Sequence, residues 1–452
     1  MEKALCDGAD FSELYIEDTE SNQIEMTDGT VKDAVSSRKH GAGIRVFSGV
    51  KSAYAYTADT SEKALLETAR AAAAALECDG RTGTAAWQEK NYGSVPEMPI
   101  DSIDNTARIA LMKKADAAAR GYSSEITQAI IRIMEVDQRV TICNSEGVWA
   151  EDRRPRIRIS VQAIASDGTG TQTGSESPGC SMGFEAFRER IDPEYCAVEA
   201  AKSAVTMLHA PECPAGYLPV IIDGGFGGVI FHEACGHSLE ATSVSKGNSE
   251  FCGKLGQKIA ADCVSAVDDG TLSGEWGHIG CDDEGTPSQR NLLIENGILK
   301  GYMIDKLGGR RMGMAPTGSS RRQGYNYAPT SRMTNTFILP GKDDPEEMIR
   351  ATAEGLYARK MGGGSVNPLT GEFNFAVAEG YWIRNGAILT PVRGATLVGK
   401  GSEVLLRIDR VADKMWMAQG VCGSASGQVP TNVGQPRIRV SEITIGGKGG
   451  AL

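Results

Sequence analysis

Tyr381-Trp-Ile-Arg-Asn385-Gly386-Ala-Ile-Leu-Thr-Pro-Val392 reads as two short strands joined by a two-residue turn. A type I′ turn needs positive φ at both central positions, which Asn and Gly accept more readily than other residues. The same signal recurs upstream, where Asn296-Gly297 separates Leu292–Glu295 from Ile298–Ile304. Two hairpins of this kind make the surrounding segment, residues 211–452, mainly antiparallel β. One helix is expected to interrupt it, with Asp344 as cap and Pro345 first, running to about Arg359. Pro211, Pro214 and Pro219 mark where this segment begins.

Two shorter segments precede it. Residues 1–90 form an N-terminal α/β segment, with β-like runs at Leu14–Asp18, Gly43–Phe47 and Ser52–Tyr56. Its one strong helix starts near Asp59-Thr60, carries Glu62 in the first turn and runs through Ala64–Glu77. Asn91–Asp104, with Pro96 and Pro99, reads as a linker into a central α+β segment, 91–210. That segment holds a helix at Ala107–Ala119, then strands at Ile126–Val136, Arg139–Cys143 and Arg156–Ala165. A Gly/Ser/Thr-rich loop at Ser166–Gly179 follows, and last a helix announced by Asp192-Pro193-Glu194. Runs of strands with few helices indicate an α+β fold rather than a doubly wound parallel sheet.

Composition narrows the function. The chain has 452 residues, room for two or three domains, and a formal net charge of −11. No basic block exceeds Glu151–Arg158, so a nucleic-acid binder is disfavoured, and with it a topoisomerase modulator. Met1–Tyr15 carries acidic residues where a signal peptide needs an apolar run, and no stretch approaches 18 apolar residues. Eleven cysteines without a CxxC pair argue against a disulfide framework. The expectation is a soluble cytoplasmic protein with reduced thiols and no membrane contact.

Two of the five histidines fall in Phe231-His232-Glu233-Ala-Cys-Gly236-His237-Ser-Leu-Glu240. On a regular helix, positions four apart lie about 40° from each other, whereas positions five apart lie about 140° apart and cannot share a metal. The His-Glu-x-x-x-His spacing therefore excludes a joint metal unless a π-type bulge widens the turn, and Gly236 is suited to it. Glu233 would then stand beside the metal without binding it, placed to take a proton from water whose pKa zinc lowers to roughly 7. A catalytic zinc needs a third protein ligand. Glu240, another histidine or a cysteine could supply it, and spacing leaves the three open.

The stretch from Ile221 onward resembles the TldD/PmbA family, in its TldD-type metallopeptidase branch. The resembling pieces are His232-Glu-Ala-Cys-Gly-His237-Ser-Leu-Glu240, Phe251-Cys-Gly-Lys-Leu-Gly256 and Asp282-Asp-Glu-Gly-Thr-Pro287. Met333-Thr-Asn-Thr-Phe-Ile-Leu-Pro340, Gly362-Gly-Gly364, Pro391-Val-Arg-Gly-Ala-Thr396 and Gly420-Val-Cys422 through Gln428-Val-Pro430 continue it. Gly41-Ala-Gly-Ile-Arg-Val46 and Tyr54-Ala-Tyr-Thr57 match more loosely. The resemblance implies a Zn²⁺ held by His232, His237 and Cys422, with Glu233 as general base for hydrolysis of peptides or unfolded segments. It also implies a dimer, either of like chains or with a non-catalytic TldE/PmbA-type paralogue. Ser424 stands where the family usually has Lys, which leaves the ligand intact and the charge absent. A thiolate with two neutral imidazoles suits zinc over magnesium or calcium.

Arg332-Met-Thr-Asn335-Thr-Phe-Ile-Leu339 alternates like a strand and could receive an extended peptide by strand addition, with Arg332 or Asn335 near the reacting carbonyl. Tyr327 is a further substrate-side candidate, and Tyr327 and His278 could both support the site. His40 and His209 read as structural or solvated, and Cys235 as packing. Gly394-x4-Gly399-Lys400 begins like a phosphate loop but has Gly401 where Ser or Thr must bind Mg²⁺. Gly224-Gly-Phe-Gly-Gly228 lacks dinucleotide-fingerprint spacing and reads as a tight turn into the histidine helix. The rival reading is a non-catalytic accessory subunit or peptide-binding modulator, with structural zinc or none.

Overall fold

Both Asn-Gly turns are present in the computed structural model, which describes residues 1–5, 9–76, 83–367, 370–450 and 452. Asn296 and Gly297 have φ of 48° and 79°, and Asn385 and Gly386 have 52° and 72°. They close Arg290–Glu295 onto Ile298–Leu299 and Glu372–Arg384 onto Ala387–Val392. The first hairpin is shorter than its sequence suggests. A third turn of this chemistry, Asp28-Gly29 with φ of 50° and 72°, joins Phe11–Thr27 to Thr30–Ser48.

Two sheets carry the fold, helices and antiparallel strands together giving an α+β protein. The first has eight strands in the order Lys51–Thr57, Thr30–Ser48, Phe11–Thr27, Ile126–Asn144, Val148–Ser166, Gln88–Asn91, with two short strands added on Val148–Ser166. Strands from residues 1–90 and 91–210 therefore share one sheet, because Phe11–Thr27 pairs with Ile126–Asn144 along nearly its full length. Alternate residues Ile131 and Ile133, with Val161 and Ile159 opposite, point into one core under two helices. These helices are Asn105–Tyr122, capped by Asp104 on the Thr106 amide, and Pro193–His209, capped by Asp192 on the Glu194 and Tyr195 amides. Their small residues Ala115, Ala119, Ala197, Ala200 and Ala204 let the layers approach closely.

The second sheet has eleven strands, with Ile298–Leu299 at one end; Gly216–Ile222 pairs with both Glu354–Val366 and Gly427–Gly446, which closes part of the sheet on itself. It is mainly antiparallel. The parallel pairings are Asn335–Ile338 with Gly427–Gly446, and Gly216–Ile222 with Glu354–Val366. The apolar faces of these strands and the histidine segment build the largest core, including Phe231, Leu239, Met333 and Trp382.

Three local expectations are corrected. The helix expected to reach Arg359 spans only Pro345–Arg350, and Glu354–Val366 is a strand. The Thr352 hydroxyl donates to Met348 O at 2.7 Å, closing the last turn, and Leu356–Ala358 then pairs with Val220–Ile222. The loop at Ser166–Gly179 contains a strand, Thr171–Glu176, paired with Val161–Ser166. Gly174 belongs there because a methyl group would come within 2.0 Å of Ala200 O on the covering helix. The first helix spans Glu62–Ala74 and is capped by Ser61 rather than Asp59 or Thr60; Glu77 lies outside the described residues. Among the described residues, no helix is long and apolar enough to cross a membrane.

Candidate metal centre

Strand Gly216–Ile222 leads into the glycine turn Gly225–Gly228 and then into a helical segment that changes pitch twice. Val229–Phe231 is α-helical, His232–Gly236 is one π-helical turn, and His237–Leu239 is 3₁₀. The π turn takes up the extra residue between the histidines, so both rings face one point. Close backbone packing fixes the segment. A methyl group at Gly228 would come within 2.6 Å of the Gly434 backbone, and one at Gly236 within 2.3 Å of Met333 Sδ. Gly401, the residue that spoils the phosphate-loop pattern, lies against the Ala234 carbonyl. Cys235 is enclosed in the core, where burial raises its thiol pKa, as packing requires.

Cys422 comes from the far end of the chain, near the hairpin end of Ile408–Ser424, opposite Val429 of Gly427–Gly446. His232 Nε2 and His237 Nε2 each lie 3.2 Å from its Sγ. The ligand atoms of all three residues fall within 4.8 Å of one another. A tetrahedral zinc with bonds of about 2.0 Å to nitrogen and 2.3 Å to sulfur would separate a nitrogen from the sulfur by roughly 3.5 Å, close to the two distances of 3.2 Å seen here. Burial alone would raise the Cys422 thiol, yet the imidazoles, His232 foremost, bring it down to about 3. A thiolate is the form that binds zinc.

The surroundings hold the triad in place. Glu240 Oε1 lies 3.3 Å from His237 Nδ1, on the side of the ring away from Cys422. That geometry supports the ring's orientation, and Glu240 stands behind the triad rather than in it. Glu233 is about a quarter exposed, with Oε2 3.7 Å from His237 Nε2. It is the acid beside the triad that solvent can reach.

The other expected site residues are distributed differently. Arg332 is fully buried and donates to Cys422 O at 2.5 Å, Gly427 O at 2.8 Å and Ser426 Oγ at 3.1 Å. It grips the cysteine hairpin from behind. Asn335 is also buried, donating to Asp269 O at 2.7 Å and accepting from the Gly277 amide at 3.0 Å. Strand addition onto this stretch is ruled out: Asn335–Ile338 pairs with Ala266–Asp269 on one edge and Gly427–Gly446 on the other. Tyr327 is half-buried in the turn after Gly324, and its amide donates to Gly324 O. His278 Nδ1 lies 2.8 Å from Gly270 O, and exposed His40 and His209 meet Thr60 and Glu125. Ser424 is exposed on the hairpin beyond Cys422.

Two supports escaped the sequence reading. Trp276 Nε1 donates to Gly420 O at 2.9 Å, and the Arg158 guanidinium donates to Gln419 O at 3.1 Å. With Arg332 they occupy three carbonyls of the strand that delivers Cys422. Only the Trp276 position carried a hint, an aromatic among glycines in Gly274-Glu-Trp276-Gly277.

Sequence profiles of the three domains of the PmbA/TldA metallopeptidases match residues 12–76, 99–208 and 215–447. A metalloprotease TldD homolog of Haemophilus influenzae is 36% identical, the match covering 97% of this chain and 93% of that protein. Among solved structures, a Thermotoga maritima protein described as a candidate modulator of a DNA gyrase superposes with a TM-score of 0.80 at 20% identity, over 96% of both chains. TldE from Thermococcus kodakarensis superposes at 0.77 with 18% identity, over 97% of both chains. These two likenesses concern the fold. The sequence matches go further: this chain is a member of the TldD/PmbA metallopeptidase family.

Proposed function

We propose that the chain is a zinc-dependent peptidase in which His232, His237 and Cys422 hold the metal and Glu233 is the general base. The observation that carries this reading is the convergence of two imidazoles and a thiol on one point, with a partly exposed carboxylate beside them. A purely structural site has no use for that carboxylate. Bound there, zinc would supply a Lewis acid for the scissile carbonyl and a lowered pKa for water. Glu233 takes the proton from the attacking water and returns it to the leaving amine.

The substrate is an extended peptide or an unfolded segment. Lys360–Val366 runs past the end of Gly216–Ile222, whose parallel pairing stops at Ala358, and Gly363–Ser365 are exposed. Among the described residues this edge keeps backbone groups free for a guest strand, whereas on the cysteine strand the carbonyls of Gln419, Gly420 and Cys422 are taken by Arg158, Trp276 and Arg332. The chain works in the cytoplasm as a homodimer or with a non-catalytic TldE/PmbA-type paralogue, a pairing supported by its likeness to TldE. The test is metal analysis of purified protein with a peptide-hydrolysis assay, with and without chelator. Zinc that co-purifies, with cleavage lost on chelation and restored by zinc, is the expected result. Zinc without cleavage, even with the paralogue added, would leave the accessory-subunit reading instead.

A further inference from the structure

A cleft of about 490 Å³ lies beside the cysteine strand, lined by Gly224–Gly227, Lys360–Gly363, Met417–Gln419 and Ser175–Pro178. Three cationic side chains line it: Arg158, Arg359 and Lys360. Two of these are neutralised. Arg359 pairs with Glu379 and Glu199, and Lys360 with Glu176 and Glu379. Arg158 is not. Among the described residues its hydrogen bonds go only to carbonyls, Nε to Ser177 O at 3.0 Å and Nη2 to Gln419 O at 3.1 Å, with Trp276 stacked 5.7 Å away.

These contacts fix the guanidinium plane and leave Nη1 without a hydrogen-bond partner among the described residues. Arg158 is half-buried with no counter-ion among the described residues, and the burial it has lowers its pKa, so the unpaired charge costs more here than on the open surface. A carboxylate entering the cleft would supply the missing charge, and the planar fork suits it. Gln419 precedes Cys422 by three positions on an extended strand, about 10 Å at roughly 3.3 Å per residue. An extended peptide bridging that gap uses about three residues.

We propose that Arg158 anchors a carboxylate of the substrate, some two to four residues from the bond that is cut. The inference builds on the peptidase reading above. The carboxylate is either the peptide's own C-terminus, which would make the protein release short C-terminal fragments, or an Asp or Glu side chain.

The experiment uses the full-length, zinc-loaded protein and one neutral peptide sequence in three forms: C-terminal acid, C-terminal amide, and amide with a single Glu stepped along the chain. Cleavage is followed by mass spectrometry, and binding of the same peptides by fluorescence anisotropy. A lower KM and Kd for the acid than the amide, by about tenfold, identifies the C-terminus as the anchored group. A gain of that size in the amide, at one Glu position only, identifies the side chain. In either case Arg158→Met should bring the preference close to unity, and Arg158→Lys should restore part of it. Equal KM and Kd for all three forms would overturn the proposal, and this holds on the unmodified protein even where Arg158→Met folds poorly. Binding that discriminates without any cleavage would support the anchor while defeating the peptidase reading.

Discussion

Two of the buried clusters of polar side chains differ in how their charges are satisfied. At the junction of the first sheet with the segments around Asp283 and Arg322, Arg45 pairs with Glu13 and Glu284, Arg322 with Glu13, and Arg154 with Asp152 and Asp283. Each of these side chains is no more than 5% exposed, and each charge meets an opposite one within the chain. In the triad, His232, His237 and Cys422 have chiefly one another, and His232 Nδ1 has no hydrogen-bond partner among the described residues. Low dielectric penalises both arrangements. The junction answers the penalty with its own counter-charges, so it is a fastener. The triad answers it with donor atoms that converge on a point a divalent ion can fill.

The widest separation between the clusters should come from deleting a ligand. Cys422→Ala or His232→Ala is expected to take zinc from stoichiometric to background after dialysis and to abolish hydrolysis. The urea-denaturation midpoint should match that of chelated wild type. Zinc retained by Cys422→Ala would break the comparison, because the triad would then be no more than packing. Next in size, Glu233→Gln should keep the zinc and lose about 10² to 10⁴ in kcat. A variant as active as wild type would remove Glu233 from the chemistry while leaving the metal site standing.

The junction should fail in the opposite way. Arg45→Met leaves Glu284 without a counter-charge and Glu13 with Arg322 alone, and breaking such a buried pair costs roughly 3–5 kcal/mol. Denaturation should report that loss while zinc content per folded molecule stays constant. Zinc falling in step with stability would show that the two clusters are not separate devices.

Much of this contrast could be read in the sequence, and the remainder could not for physical reasons. The hairpins at Asn296-Gly297 and Asn385-Gly386 were legible because their φ values admit few other residues, and Asp28-Gly29 offered the same signal. The need for a widened turn followed from a spacing of five. The segment after Arg350 misled because its local helical character gives way to pairing of Leu356–Ala358 with a strand more than 130 residues earlier. Arg332 could not be placed from alternation alone, since both edges of its neighbouring strand are taken and both faces covered. Cys422 lies 190 positions from His232, a separation that no spacing rule spans; family resemblance pointed to it. Glu240 was weighed as a ligand from its spacing, which gives its distance from His237 but not the side of the ring it faces.

The smallest expected effect probes a carboxyl beside the junction that has no counter-charge of its own. Asp305 Oδ1 has no hydrogen-bond partner among the described residues, and burial, then the nearby charge of Glu284, push the carboxyl up to about 6 despite the pull of Arg45. A folded-state value above the unfolded one means the folded chain binds the proton more tightly. Stability is therefore unaffected below the unfolded pKa near 4 and falls as the pH rises from there through about 6, beyond which the penalty is complete. Asp305→Asn removes the charge and keeps the shape. It should match wild type near pH 4 and exceed it by about 1 kcal/mol at pH 8. Denaturation at the two pH values measures the difference. A constant offset at both would mean that packing rather than charge distinguishes the residues. Loss of stability at pH 8 would mean that the Asp305 carboxylate is compensated after all, and the junction would then be as fully paired as its arginines suggest.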